Sequence, residues 1–229
     1  MRMLLAVTTM LMAGAGPTSA QDGAPPARIL SLGDSYTIGE AVPEAERWPN
    51  QLARLLGAEG IAVEPPRIIA KTGWTTDELD LGINRENPTG RFALVTLLIG
   101  VNNQYRGREL TEYRLQFREL LLRAVTFAGG TGARVLVLSI PDWGVTPFGQ
   151  RHATPPVATA AAIDRFNWAA KDEVLKAGAE WVDVTAISRT GRDEPAMTAS
   201  DGLHPSGAQY ARWAEAALPA ARRILRERQ

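Results

Sequence analysis

The chain has 229 residues, 45% hydrophobic and 22% charged, with 25 basic side chains against 25 acidic ones. That composition suits an ordinary globular domain with material for a sizeable core, and its balanced charge excludes the basic bias of a nucleic-acid binder. With no cysteine in the chain, disulfides, a thiol nucleophile and cysteine-ligated zinc are excluded.

Residues 1–20 open with Arg2, run apolar from Met3 to Met12, break at Ala13-Gly14-Ala15-Gly16-Pro17 and end on small Thr18-Ser19-Ala20. This layout predicts a secretory signal peptide, whose apolar core is too short to span a bilayer. The protein is therefore expected to be exported, either periplasmic or secreted, with no transmembrane segment in the mature chain. A leader at 21–27 precedes a domain expected over 28–229. The basic run from Arg222 to Arg228 reads as the solvated tail of a helix.

Five short runs rich in Val, Ile and Leu predict strands: Arg28–Leu32, Arg67–Ala70, Phe92–Ile99, Arg134–Ile140 and Trp181–Val184. They are continuous rather than alternating, as strands covered on both faces should be. Between the third and fourth, Leu110, Tyr113, Phe117, Leu120, Leu121, Ala124 and Phe127 keep the spacing of one apolar helix face, stopped by Gly129-Gly130-Thr131-Gly132. Thr75-Thr76-Asp77-Glu78 reads as a capping box opening one helix, and Ser206-Gly207-Ala208-Gln209 opens the last. Alternating strands and helices imply a five-stranded parallel sheet, right-handed crossovers and helices on both faces. Ligands of such sheets sit beyond the carboxyl ends of the strands.

Those ends carry Gly33-Asp34-Ser35, Lys71-Thr72-Gly73-Trp74, Gly100-Val101-Asn102-Asn103 and Pro141-Asp142-Trp143-Gly144. After the fifth strand a loop leads to Asp201-Gly202-Leu203-His204-Pro205. A serine hydroxyl near neutral pH needs a base to take its proton, and the chain owns two histidines, His152 and His204. His204 has Asp201 three residues earlier, placed to hold one imidazole nitrogen and to stabilise the imidazolium. The nearest acids to His152 are Asp142 and Asp164, so Asp142–His152 is the fallback pair. A tetrahedral intermediate also needs donors for its oxyanion; the Ser35 amide, the Gly73 amide and the Asn102 carboxamide are the candidates.

Gly33-Asp34-Ser35, Gly73, Gly100-x-Asn102 and Asp201-x-x-His204, in this order, resemble the blocks of the SGNH (GDSL) hydrolase family. The match runs from the first strand to the last helix. The resemblance implies a flavodoxin-like three-layer α/β/α sandwich and hydrolysis of carboxylic esters with no metal or organic cofactor. It assigns Ser35 as nucleophile, His204 as base and Asp201 as orienting acid, with the Ser35 and Gly73 amides and the Asn102 side chain as oxyanion hole. Two positions depart from the family pattern. Tyr36 stands where leucine is usual, and Asn103 replaces an aspartate that is not a triad member.

The expected activity is a serine esterase acting through an acyl-enzyme on Ser35, its substrate a small-molecule or carbohydrate ester with a short acyl group. An acyltransferase with the same triad and a non-catalytic carbohydrate-binding relative are the alternatives. A phosphate-binding flavodoxin-like domain fails for lack of a glycine-rich phosphate loop after the first strand. Trp48, Trp74 and Trp143 are candidate pocket walls, Arg106 and Arg108 candidate clamps for an anionic substrate, and Val145 to Pro156 a candidate lid bearing His152.

Overall fold

β1 (Ile29–Gly33) is buried at every position, which is why its run carries no polar alternation. In the computed structural model, which describes residues 25–227, it pairs in parallel with β2 (Arg67–Ala70) on one side and β3 (Leu94–Leu98) on the other. β4 (Val135–Leu138) and β5 (Glu180–Val182) extend the sheet beyond β3, giving the order β2-β1-β3-β4-β5. The expected signal peptide lies outside the described residues.

All five predicted strands are present: β2 with the expected bounds, β3 and β4 trimmed at both ends, and β1 and β5 shifted by one or two residues. The run expected to Ile140 leaves the ladder after Leu138, because side chains take over its backbone groups. The Asn167 carboxamide accepts from the Ile140 amide at 2.7 Å and donates to the Ile140 carbonyl at 3.0 Å. Beyond Val182, the Val184 and Thr185 amides donate to Ser139 Oγ at 2.8 and 3.0 Å. Phe92 likewise stays outside β3, its amide held by the Phe127 carbonyl at 2.9 Å.

The helices form two layers. α2 (Trp48–Ala58) packs on α9 (Gly207–Arg226), and α3 (Thr76–Glu86), α5 (Leu110–Phe127) and α7 (Pro156–Lys176) pack side by side against the other face. The shorter α1 (Ser35–Ile38), α4 (Val101–Tyr105), α6 (Pro147–Gln150) and α8 (Thr185–Thr190) cap the carboxyl edge. α3 opens on the expected capping box of Thr75 and Glu78, and Ser206 caps α9 by accepting from the Gln209 amide at 3.3 Å. α7 went unread because its buried face includes Thr159, Asn167 and Glu173, which blur its apolar period. No helix among the described residues is long and apolar enough to cross a membrane.

Chain order reverses at β1: the chain steps out to β2, then crosses back to β3 on the other side. In an open parallel sheet that switch point is where a crevice forms. The residues following β1, β2 and β3 are therefore the ones the topology gathers.

Candidate active site

Gly33 ends β1 because nothing larger fits. A Cβ there would lie 2.2 Å from Thr37 Oγ1 and 2.4 Å from the Leu98 carbonyl. Asp34 then caps α1, its Oδ1 accepting from the Tyr36 amide at 3.0 Å. Asp34 is wholly buried, and its Oδ2 has no hydrogen-bond partner among the described residues. Burial pushes its carboxyl up to about 7, against the lowering effect of the Tyr36 amide. Ser35, the first residue of α1, is buried to 5% exposure. Its amide donates to no protein group among the described residues, as the first amide of a helix has no partner within it.

Asp201 and His204 sit on a tight loop whose ends are drawn together by a Thr198–Pro205 bridge and by the Ala199 amide on the His204 carbonyl at 2.8 Å. Asp201 Oδ2 lies 2.6 Å from His204 Nδ1, and Oδ1 accepts from the Leu203 and His204 amides at 2.9 and 3.0 Å. Partial burial raises the Asp201 carboxyl, but the His204 hydrogen bond and the two amides outweigh it and hold the group below the usual aspartate value. With Nδ1 so engaged, Nε2 is the nitrogen left for chemistry. The His204 ring meets Tyr36 edge-on at 5.6 Å.

Ser35, Gly73, Asn102 and His204 line one cavity of about 190 Å³, with Tyr105, Trp143, Phe148 and Leu203 among its other walls. No hydrogen bond joins Ser35 Oγ to His204, although both line the cavity; nucleophile–base bonds commonly tighten on substrate binding. Gly73 has φ +84°, a conformation that glycine adopts without strain. Asn102 Nδ2 donates to the Trp74 carbonyl at 2.9 Å, which fixes the carboxamide and leaves its second N–H available.

The sequence of residues 31–212 matches the GDSL-like lipase/acylhydrolase family. The chain belongs to that family. No curated protein matches it significantly. Among solved structures, TesA superposes with a TM-score of 0.65 at 19% identity, over 86% of this chain and 99% of that one. The lipase/acylhydrolase from Enterococcus faecalis gives 0.64 at 21%, over 86% and 95%. Axe2, an acetylxylan esterase from Geobacillus stearothermophilus, gives 0.61 at 19%, over 85% and 94%. At these identities the likeness is one of fold.

Around the four GDSL blocks, several sequence candidates are placed differently. Of the three tryptophans, Trp143 lines the cavity and donates Nε1 to Gln104 Oε1 at 2.8 Å. Trp48 is wholly buried in the core, and Trp74 packs over Gly82 of α3. Asp142 and His152 do not form the fallback pair. Asp142 holds Arg189 Nε at 2.9 Å and the Gly144 amide at 3.0 Å, while His152 Nδ1 accepts from the Thr154 amide at 3.1 Å. Arg106 and Arg108 are committed to protein groups: Arg106 to Gly73 and Glu78, Arg108 to Asp77 and Glu112.

Of the aromatic residues lining the cavity, the sequence reading named Trp143 as a wall but not Tyr105 or Phe148. Tyr105, Trp143, Phe148 and His152 form one cluster with ring centroids 5.1–6.3 Å apart. Tyr105 carried a signal, since it follows Asn102 by one helical turn. Phe148 carried only its place in the Val145–Pro156 segment read as a candidate lid; its amide donates to the Gly202 carbonyl at 2.9 Å, pinning α6 to the loop of Asp201 and His204.

Proposed function

We propose that this GDSL-family hydrolase is a serine esterase acting on short-acyl carboxylic esters, with Ser35 as nucleophile. One observation carries the reading: Ser35 and the Asp201-held His204 line a single cavity although 169 positions separate them in the chain. His204 Nε2 takes the proton from Ser35 Oγ as that oxygen attacks the ester carbonyl, and Asp201 steadies the resulting imidazolium. The developing oxyanion accepts from the Ser35 and Gly73 amides and from the free N–H of Asn102. His204 then protonates the departing alcohol and activates the water that releases the acid.

Cavity size supports the short acyl group. A cavity of about 150 Å³ lined by apolar side chains takes benzene, so the 190 Å³ here suits one ring or a chain of roughly that bulk. Acetyl esters, including acetylated sugars such as those named for Axe2, are the first substrates to try. Export is proposed from the pattern of residues 1–20.

The test is p-nitrophenyl acetate hydrolysis together with fluorophosphonate labelling, in wild type and in Ser35→Ala. Turnover and labelling are expected in wild type and neither in the variant. A folded Ser35→Ala protein that still hydrolyses the ester would reject Ser35 as nucleophile. Transfer to an added alcohol that outcompetes hydrolysis would make the protein an acyltransferase instead.

A further inference from the structure

Lys71 to Trp74 form a turn closed by the Trp74 amide on the Lys71 carbonyl at 3.2 Å. Its third residue is Gly73 at φ +84°, the mark of a type II turn. The Gly73 N–H belongs to the Thr72–Gly73 peptide and the Gly73 carbonyl to the next one, so where that N–H sits depends on how the whole turn is anchored.

Three side-chain contacts anchor it. Thr72 Oγ1 donates to Glu40 on one flank. On the other, Asn102 Nδ2 donates to the Trp74 carbonyl at 2.9 Å, and Arg106 Nη2 donates to the Gly73 carbonyl at 2.6 Å. The second arm of the Arg106 guanidinium, Nη1, lies 3.2 Å from Glu78 Oε1. Glu78 is itself fixed, because its Oε2 accepts from the Thr75 amide at 2.9 Å in the capping box of α3. Arg106 follows α4 directly, and its amide donates to the Asn102 carbonyl at 3.0 Å. One short segment thus carries both the Asn102 carboxamide and the fork that grips Gly73.

We propose that Arg106 is a positioning residue for the oxyanion hole: braced by Glu78, its guanidinium anchors the Gly73 carbonyl, on the peptide that follows the one carrying the Gly73 N–H, and so holds Gly73 in register with the Asn102 carboxamide beside the reacting carbonyl. The proposal rests on the reading of Gly73 as an oxyanion donor. Arg106 acts through Gly73 and is not among the cavity walls. Both ends of its ion pair are more than a third exposed, so its contribution to stability is small while its effect on hole geometry is large. Lysine cannot replace it fully, since a single ammonium lacks the planar fork that reaches two acceptors at fixed angles.

The test compares wild type, Arg106→Ala and Arg106→Lys with p-nitrophenyl acetate as substrate, active sites being counted by fluorophosphonate titration. For Arg106→Ala, kcat should fall about 10- to 100-fold, less than the 10²–10³ expected for loss of a donor outright, with KM within about threefold. Affinity for a phenylboronic acid, whose adduct is tetrahedral, should fall by the same factor as kcat/KM. Arg106→Lys should recover part of the loss, as should added guanidinium ion with the alanine variant. The melting temperature should move by no more than about 4 °C. A kcat within about threefold of wild type would overturn the proposal, as would a loss confined to KM, which would make Arg106 a substrate contact. Should the alanine variant not fold, Arg106→Gln is read by the same criteria. An active wild type with an unaffected variant removes only this proposal; a wild type that neither turns over nor takes the probe removes the hydrolase reading with it.

Discussion

The carboxamide of Asn103 grips Thr76 twice, accepting from its amide at 3.1 Å and donating to its hydroxyl at 2.7 Å, and both residues are wholly buried. The Thr76 hydroxyl in turn donates a hydrogen bond to Gln116 Oε1. The first free amide of α3 is thereby satisfied by α4, and the segments carrying Gly73 and Asn102 are fastened together. Asn103 does not touch the cavity, so its departure from the family's aspartate is a change in this joint.

A carboxylate in the same place can accept from both Thr76 groups once the hydroxyl turns away from Gln116. Asn103→Asp should therefore fold and lose no more than about 1 kcal/mol, while Asn103→Ala leaves a buried amide unpaired and should lose about 1–3 kcal/mol. Urea unfolding of the two variants measures the difference; an alanine variant as stable as wild type would show that the joint carries no energy.

Asp34 makes stability fall with pH. Its carboxyl is raised by burial from 3.8 to about 7 in the folded chain, so between those values the folded state holds a proton that the unfolded state has released. Stability is therefore greatest below about pH 4 as far as this group is concerned, and is lost as pH rises toward 7, by at most about 4 kcal/mol. The stability of Asp34→Asn relative to wild type should grow across that window and level off above it. Parallel curves for the two proteins from pH 4 to 8 would contradict this.

Asp201 acts in the opposite sense. Its folded value is depressed, so its contribution is present above the unfolded aspartate value and disappears as pH falls through the lower folded one. The functional cost of removing its charge should be far larger. Asp201→Asn is expected to lower kcat by about 10³–10⁴, since the imidazole loses both its tautomer and its stabilising anion. Steady-state kinetics at neutral pH decide this, and a loss under tenfold would mean that another group orients His204.

Phe148 should set the length of acyl group accepted. It contributes one wall of the cavity and packs on Tyr105, Trp143 and His152. Phe148→Ala should raise the hexanoate-to-acetate ratio of kcat/KM for p-nitrophenyl esters by about tenfold, as expected when a pocket gains room for a few methylenes. An unchanged ratio would place the acyl group elsewhere.

Much of this protein is written in local patterns. Continuous apolar runs such as Ile29–Leu32 named the buried strands, their alternation with helices named the parallel sheet, and the rule about strand ends pointed to Ser35, Gly73, Asn102 and His204. Each of those inferences needs only a few neighbouring residues, because pleat, helical period and capping are short-range physics. What Arg106, Asp142 and Phe148 do was decided by the fold alone. A guanidinium looks the same in sequence whether it awaits a substrate or holds a carbonyl 33 positions away, and Phe148 joins the cavity through a hydrogen bond from its amide to the Gly202 carbonyl. Such pairings depend on where distant segments come to rest, and only packing of the whole chain fixes that.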